Sequence, residues 1–152
     1  MRASLVLAAA RNFPLTALLL LLFVGGCHIQ LVSEYDEDFV RTATGVQKEI
    51  GTLLQTLKNP PSGTDVSYQG NIPEYNKITV DLNGLLILAG AHRNNEETVA
   101  QVKQMIQIFN EIPERHRAKS LSAAYLDLKQ QTIALGFSLM IRTENDKKAG
   151  NR

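Results

Sequence analysis

The chain has 152 residues, 44% hydrophobic and 20% charged, which is one domain's length and a balance that excludes a polar, disordered protein. A net charge of +1 gives no field for holding nucleic acid. The single cysteine excludes an internal disulfide framework and any zinc site made from several thiolates.

The positive excess sits at the start. Residues 1–26 carry Arg2 and Arg11 and no acid, leaving 14 basic and 15 acidic residues in the rest of the chain. Phe13–Val24 is an apolar run of 12 residues that ends in Gly25, Gly26 and Cys27. Positive charge, a short apolar core and small residues after it make a secretory signal. A spanning helix needs about 20 apolar residues, and Pro14 and Arg11 prevent this run from lengthening backward.

Val24–Gly25–Gly26–Cys27 resembles the lipobox of bacterial lipoprotein precursors: an aliphatic residue, a small residue, Gly or Ala, then Cys. The resemblance implies that the Cys27 thiol takes a diacylglyceryl group and that the chain is cut between Gly26 and Cys27. The new amine is then acylated, and several acyl chains anchor stably where one is marginal. In such proteins an Asp after the cysteine retains the chain at the inner membrane. Here that residue is His28, which implies the periplasmic face of the outer membrane. Residues 27–32 then form the lipidated tether.

From Ser33 to Thr143 the pattern is that of an all-α, antiparallel bundle of about four helices. The first runs from about Ser33 to Lys58 on the stripe Phe39, Ala43, Val46, Ile50, Leu53 and Leu57, and Asn59–Pro60–Pro61 stops it. Residues 59–76 read as a long linker with three prolines and two glycines. The second helix, Tyr75 to Ala91, has Ile78, Leu82, Leu85 and Ala89 as its seam. A hairpin turning at Asn83–Gly84 is the alternative, but a lone hairpin is marginal in water and nothing else offers it strands. Arg93–Asn94 makes a tight turn. The third helix runs from Asn95 to Ile112 on Val99, Val102, Ile106 and Phe109, and Pro113 closes it. The fourth runs from Ser120 to Thr143 with Leu121, Tyr125, Leu128, Thr132, Leu135, Leu139 and Arg142 in heptad rhythm. Residues 144–152 read as a disordered tail.

Chemistry finds few footholds. The sequence has no paired Glu-x-x-His, no His-Glu-x-x-His, no Gly-x-Ser-x-Gly and no phosphate-binding glycine loop, so no catalytic, metal or cofactor residue is assigned. His92 suits a helix C-terminus, and Ser120 suits a helix cap.

Three features suit binding. Arg115, His116, Arg117 and Lys119 form a basic cluster in the connection before the fourth helix. Tyr68 and Tyr75 stand in the linker. Ile133, Phe137, Met140 and Ile141 make a second apolar stripe on the fourth helix; core burial is its first account, and any surplus forms an oligomer contact or an apolar-ligand groove. The leading expectation is therefore a non-catalytic, lipid-anchored envelope protein that binds a protein partner, a second copy or the envelope surface through a bundle face. A carrier or sensor of an apolar ligand, and an envelope hydrolase without a local motif, are the alternatives.

Overall fold

The computed structural model describes residues 33–150. The expected signal segment 1–26, the cleavage pair Gly26–Cys27, the tether and residues 151–152 lie outside the described residues. Four helices follow: α1 (Glu37–Lys58), α2 (Tyr68–Ala91), α3 (Glu96–Ala118) and α4 (Ala123–Gly150). No strand occurs among the described residues, so the stretch around Asn83–Gly84 is helix.

Side chains fix the starts. The α1 cap is Asp36, three residues beyond the expected Ser33, and its carboxylate accepts from the Phe39 N–H at 2.9 Å. Ser67 caps α2 by accepting from the Gly70 N–H at 3.1 Å. At α4 the serine that serves is Ser122, not Ser120: its hydroxyl accepts from the Tyr125 N–H. Asn94, at φ 57°, takes the left-handed conformation that turns α2 into α3, which asparagine tolerates better than most residues.

The helices pack in a ring: α1 against α2 and α4, and α3 against the same two. Every neighbouring pair is antiparallel. Asp36 meets His92 while Glu49 meets Lys77; Tyr75 meets His116 while Ala89 meets Asn95; Glu111 meets Lys129 while Gln101 meets Thr143; and Lys58 meets Asp127. This is an up-down-up-down bundle with short connections.

Three boundaries differ from the sequence reading. Residues 68–76 are helix, so the connection after α1 is only 59–67. Asn71 holds this start by donating to the carbonyls of Asp65 and Ser67, and Pro73 sits on an exposed side of the second turn. Pro113 does not close α3, which continues to Ala118. Its last turn is held from outside, by His116 on Tyr75 and by the Arg115 guanidinium 4.3 Å from the Tyr125 ring. Residues 144–150 are not a loose tail but the end of α4, with Glu144 and Lys147 buried.

The core is Phe39, Ala43, Val46, Ile50, Leu53 and Leu54 of α1; Tyr75, Ile78, Leu82, Leu85 and Ala89 of α2; Val102, Met105, Phe109 and Ile112 of α3; and Leu126, Ile133, Phe137 and Met140 of α4. On α4 the heptad stripe expected as the seam is the outward one, and the second stripe takes its place in the core. Ile133, Phe137 and Met140 are fully buried and offer no partner-binding surface, whereas Leu128, Leu135 and Leu139 are 61%, 63% and 50% exposed. Two apolar stripes lie side by side on this helix, and the one continuing through Lys129, Glu144 and Lys147 is buried against α1 and α3, whereas the other meets a neighbouring helix at Tyr125 and is exposed at its leucines.

Candidate functional site

The bundle presents three places where polar or exposed groups gather. The first is the end where the chain enters. Ser33 is buried, its N–H donates to the Asn94 carbonyl at 3.2 Å, and its hydroxyl donates to Asn95 Oδ1 at 3.1 Å. Lys147 Nζ donates to Asn95 Oδ1 at 2.6 Å, to Thr98 Oγ1 at 3.1 Å and to the Glu144 carboxylate. The Asp36 N–H donates to the other oxygen of Glu144, and the Asp36 carboxylate lies 2.9 Å from His92 Nε2. A buried polar network of this kind is stable only when its members are satisfied, and these partners do satisfy one another. It joins the entry segment, the α2–α3 turn and the last turns of α4.

The second place is the opposite end. A cavity of about 660 Å³ lies among Leu57, the 64–69 segment and residues His116 to Leu121. Behind it Tyr68 stacks on Tyr75 with ring centroids 6.1 Å apart, and His116 stands edge-on to both. The Tyr75 hydroxyl and His116 Nδ1 are 2.8 Å apart. Burial pushes the Tyr75 phenol above its ordinary range and holds His116 below its own, with a hydrogen bond to the Val66 backbone opposing the latter. His116 is therefore a neutral ring held between Tyr75 and Val66, a packing role. Asp65, below its ordinary value because Ser67 donates to it, caps the mouth beside Arg117 and Lys119.

The predicted binding residues thus divide. Tyr68, Tyr75, Arg117 and Lys119 come together at this end; Tyr75 is buried, while Arg117 and Lys119 are exposed. Arg115 turns away to lie over Tyr125. Among the described residues no group of three His, Cys, Asp or Glu side chains gathers where a metal could be held.

The third place is the outer face of α4. Tyr125, Leu128, Thr132, Leu135, Leu139 and Arg142 run along it in steps of three and four. Tyr125 and Thr132 are half-buried, and the leucines and Arg142 are exposed. On α2, diagonally opposite, the outward apolar residues Val80 and Ile87 are interrupted by Asn83 and Gly84, so no continuous stripe forms. The sequence carried the signal for this third place, because the α4 heptad was legible; only its direction was misassigned.

Comparison with models of protein families, with curated proteins and with solved structures finds no match. The described residues also contain no helix long and apolar enough to cross a membrane.

Proposed function

We propose that this protein is a lipid-anchored component of the bacterial envelope, held through Cys27 at the periplasmic face of the outer membrane, that binds a partner without catalysis through the outer face of α4. The observation that carries the binding role is the row of exposed leucines Leu128, Leu135 and Leu139, broken by half-buried Thr132, on a helix whose other side is fully used by the core. Exposed leucines scattered singly need no explanation, but three in heptad register make a surface with a shape.

Two features support the anchor. Cys27 ends a lipobox-like sequence, and Ser33, six residues on, is already buried against the bundle. Six residues reach about 20 Å at most, so lipid on Cys27 would keep Ser33 within that distance of its attachment point. The carrier alternative has less support, because three phenylalanines and the aliphatic side chains around them fill the bundle interior. The cavity at the His116 end is lined largely by polar and charged groups, unlike a pocket for an apolar ligand.

The anchor is tested by the intact mass of the protein taken from membranes, beside a Cys27→Ala variant. A mass equal to residues 27–152 plus acyl groups, lost in the variant, supports it; an unmodified or full-length mass rejects it. The binding face is tested separately with Leu128→Gln, Leu135→Gln and Leu139→Gln combined. Loss of partner cross-links with an unchanged circular dichroism spectrum is the expected result.

A further inference from the structure

We infer that the cavity at the His116 end takes a short peptide with free ends, its carboxylate on Arg117 and Lys119 and its ammonium on Asp65. This is independent of the α4 outer face and of the lipid on Cys27.

The cavity holds both signs of charge apart. Its volume of about 660 Å³ is bordered by residues 64–69 on one side and by residues 116–121 on the other. Asp65 stands on the first side, Arg117 and Lys119 on the second, and all three are exposed. Lys58, Lys77, Lys129 and Lys147 each reach a carboxylate of the bundle. Among the described residues Arg117 and Lys119 pair neither with Asp65 nor with any other acid.

Both sides are fixed in place. The Ser67 N–H donates to Asp65 Oδ1 at 2.8 Å, and Asn71 Nδ2 donates to the Asp65 carbonyl at 3.1 Å. The carboxylate lies against Gly70, where any side chain would collide with it. Donation from Ser67 holds the carboxyl below its ordinary value, so it is a standing negative charge. A carboxylate can accept several hydrogen bonds, which leaves Asp65 capacity for a ligand. Opposite it, Arg117 lies in the last turn of α3, and Lys119 caps that helix with its N–H donating to the Arg115 carbonyl at 2.9 Å. His116, held by the Tyr75 hydroxyl and by the Val66 backbone, ties one side to the other. Being neutral, it adds no third cation.

Charge and size together select the ligand. A simple anion is drawn to Arg117 and Lys119 but repelled by Asp65, and a simple amine meets the reverse. A molecule with both signs is attracted on both sides. Leu57, Val66 and Tyr68 add apolar surface to the lining, which suits a side chain between the two charged ends. Pockets of about 300–1,000 Å³ take molecules well beyond a single amino acid, so a peptide of a few residues fits. Exposed ion pairs are individually weak, which sets the expected Kd at about 1 mM.

The test titrates the full chain, isotope-labelled and held in detergent, with alanyl-leucyl-alanine while amide NMR signals are followed. Saturating shifts at residues 64–70 and 116–121 are expected. N-acetylating or C-amidating the peptide should each weaken binding several-fold. Asp65→Asn should abolish the difference between free and acetylated peptide, because asparagine keeps an oxygen for the Ser67 N–H and loses the charge. Arg117→Gln with Lys119→Gln should abolish the difference between free and amidated peptide. Differences that survive these variants overturn the placement of the two ends. Acetylated peptide or inorganic phosphate binding as tightly as the free peptide reduces the cavity to an anion site and overturns the inference. Tighter binding of glycerophosphoethanolamine overturns it in favour of a lipid headgroup. No shift at about tenfold the expected Kd overturns the site altogether.

Discussion

Lys147 reaches back one turn along α4 to Glu144, and both side chains are buried in the bundle, 8% and 1% exposed. Neither would tolerate burial alone, because a lone charge out of water costs several kcal/mol. Here Asn95, Thr98 and the Asp36 N–H complete the arrangement. Replacing Glu144 by Ala strands the ammonium and is expected to lower unfolding free energy by about 3–5 kcal/mol. Changing Glu144 to Leu and Lys147 to Met together should recover most of that loss. Urea denaturation of the two variants checks this; equal losses in both would mean that the pair is not acting as a unit.

His116 gives the fold a pH dependence of known sign. Its folded value lies below the ordinary histidine value, so in acid the unfolded chain binds a proton that the native ring resists. The neutral ring's contribution is complete above the unfolded value of about 6.5 and is lost as pH falls from there through the lower folded value. The fall in urea midpoint between about pH 7.5 and about pH 5.5 should be smaller in His116→Gln than in the parent. Identical falls would remove His116 from the account.

The two stripes of α4 make a paired prediction. Phe137→Ala empties a fully buried site and should cost about 3–5 kcal/mol. Leu135→Gln, two residues earlier but outward, should change stability by less than about 0.5 kcal/mol. Thermal melts of the monomeric protein distinguish them, and a large loss in Leu135→Gln would reverse the assignment of faces.

Two helical glycines should respond differently to a methyl group. Nothing lies near a Cβ at Gly84, so Gly84→Ala gains the helix preference of alanine, about 0.5–1 kcal/mol. At Gly136 the same methyl would run into the terminal methyl of Met105 on α3, the flexible end of a buried side chain that must repack to admit it, offsetting the gain in helix preference. Gly136→Ala should therefore fail to raise the melting temperature, whereas Gly84→Ala raises it.

The helices were legible wherever local pattern and packing agree. Ile78, Leu82, Leu85 and Ala89 could be read as one buried face, and they are. Reading failed where a distant contact decides. Pro113 looks like a terminator, but the turn beyond it is held by Tyr75 and Tyr125, neither a neighbour in sequence. Glu144 and Lys147 look like solvated tail residues, yet Asn95 and Thr98, about fifty positions earlier, make their burial favourable. On α4 the stripe with cleaner heptad spacing faces outward, because periodicity reports which residues share a face and not which face meets the core. The basic cluster at 115–119 was visible as charge; that His116 is taken up by Tyr75 was not.

The network at Ser33 has a mechanical consequence. Tension arriving along the chain from the direction of Cys27 meets Ser33 first, then the Asn94 carbonyl and the Asn95 amide, then Asp36 with its grip on Glu144 and His92. Hydrogen bonds at the bundle's end must therefore break before a pull can peel α1 from the apolar core. Under traction this protein should yield in two stages, a small early release of the entry segment followed by loss of the helices, and the Glu144→Ala variant should lower the force of the first of them.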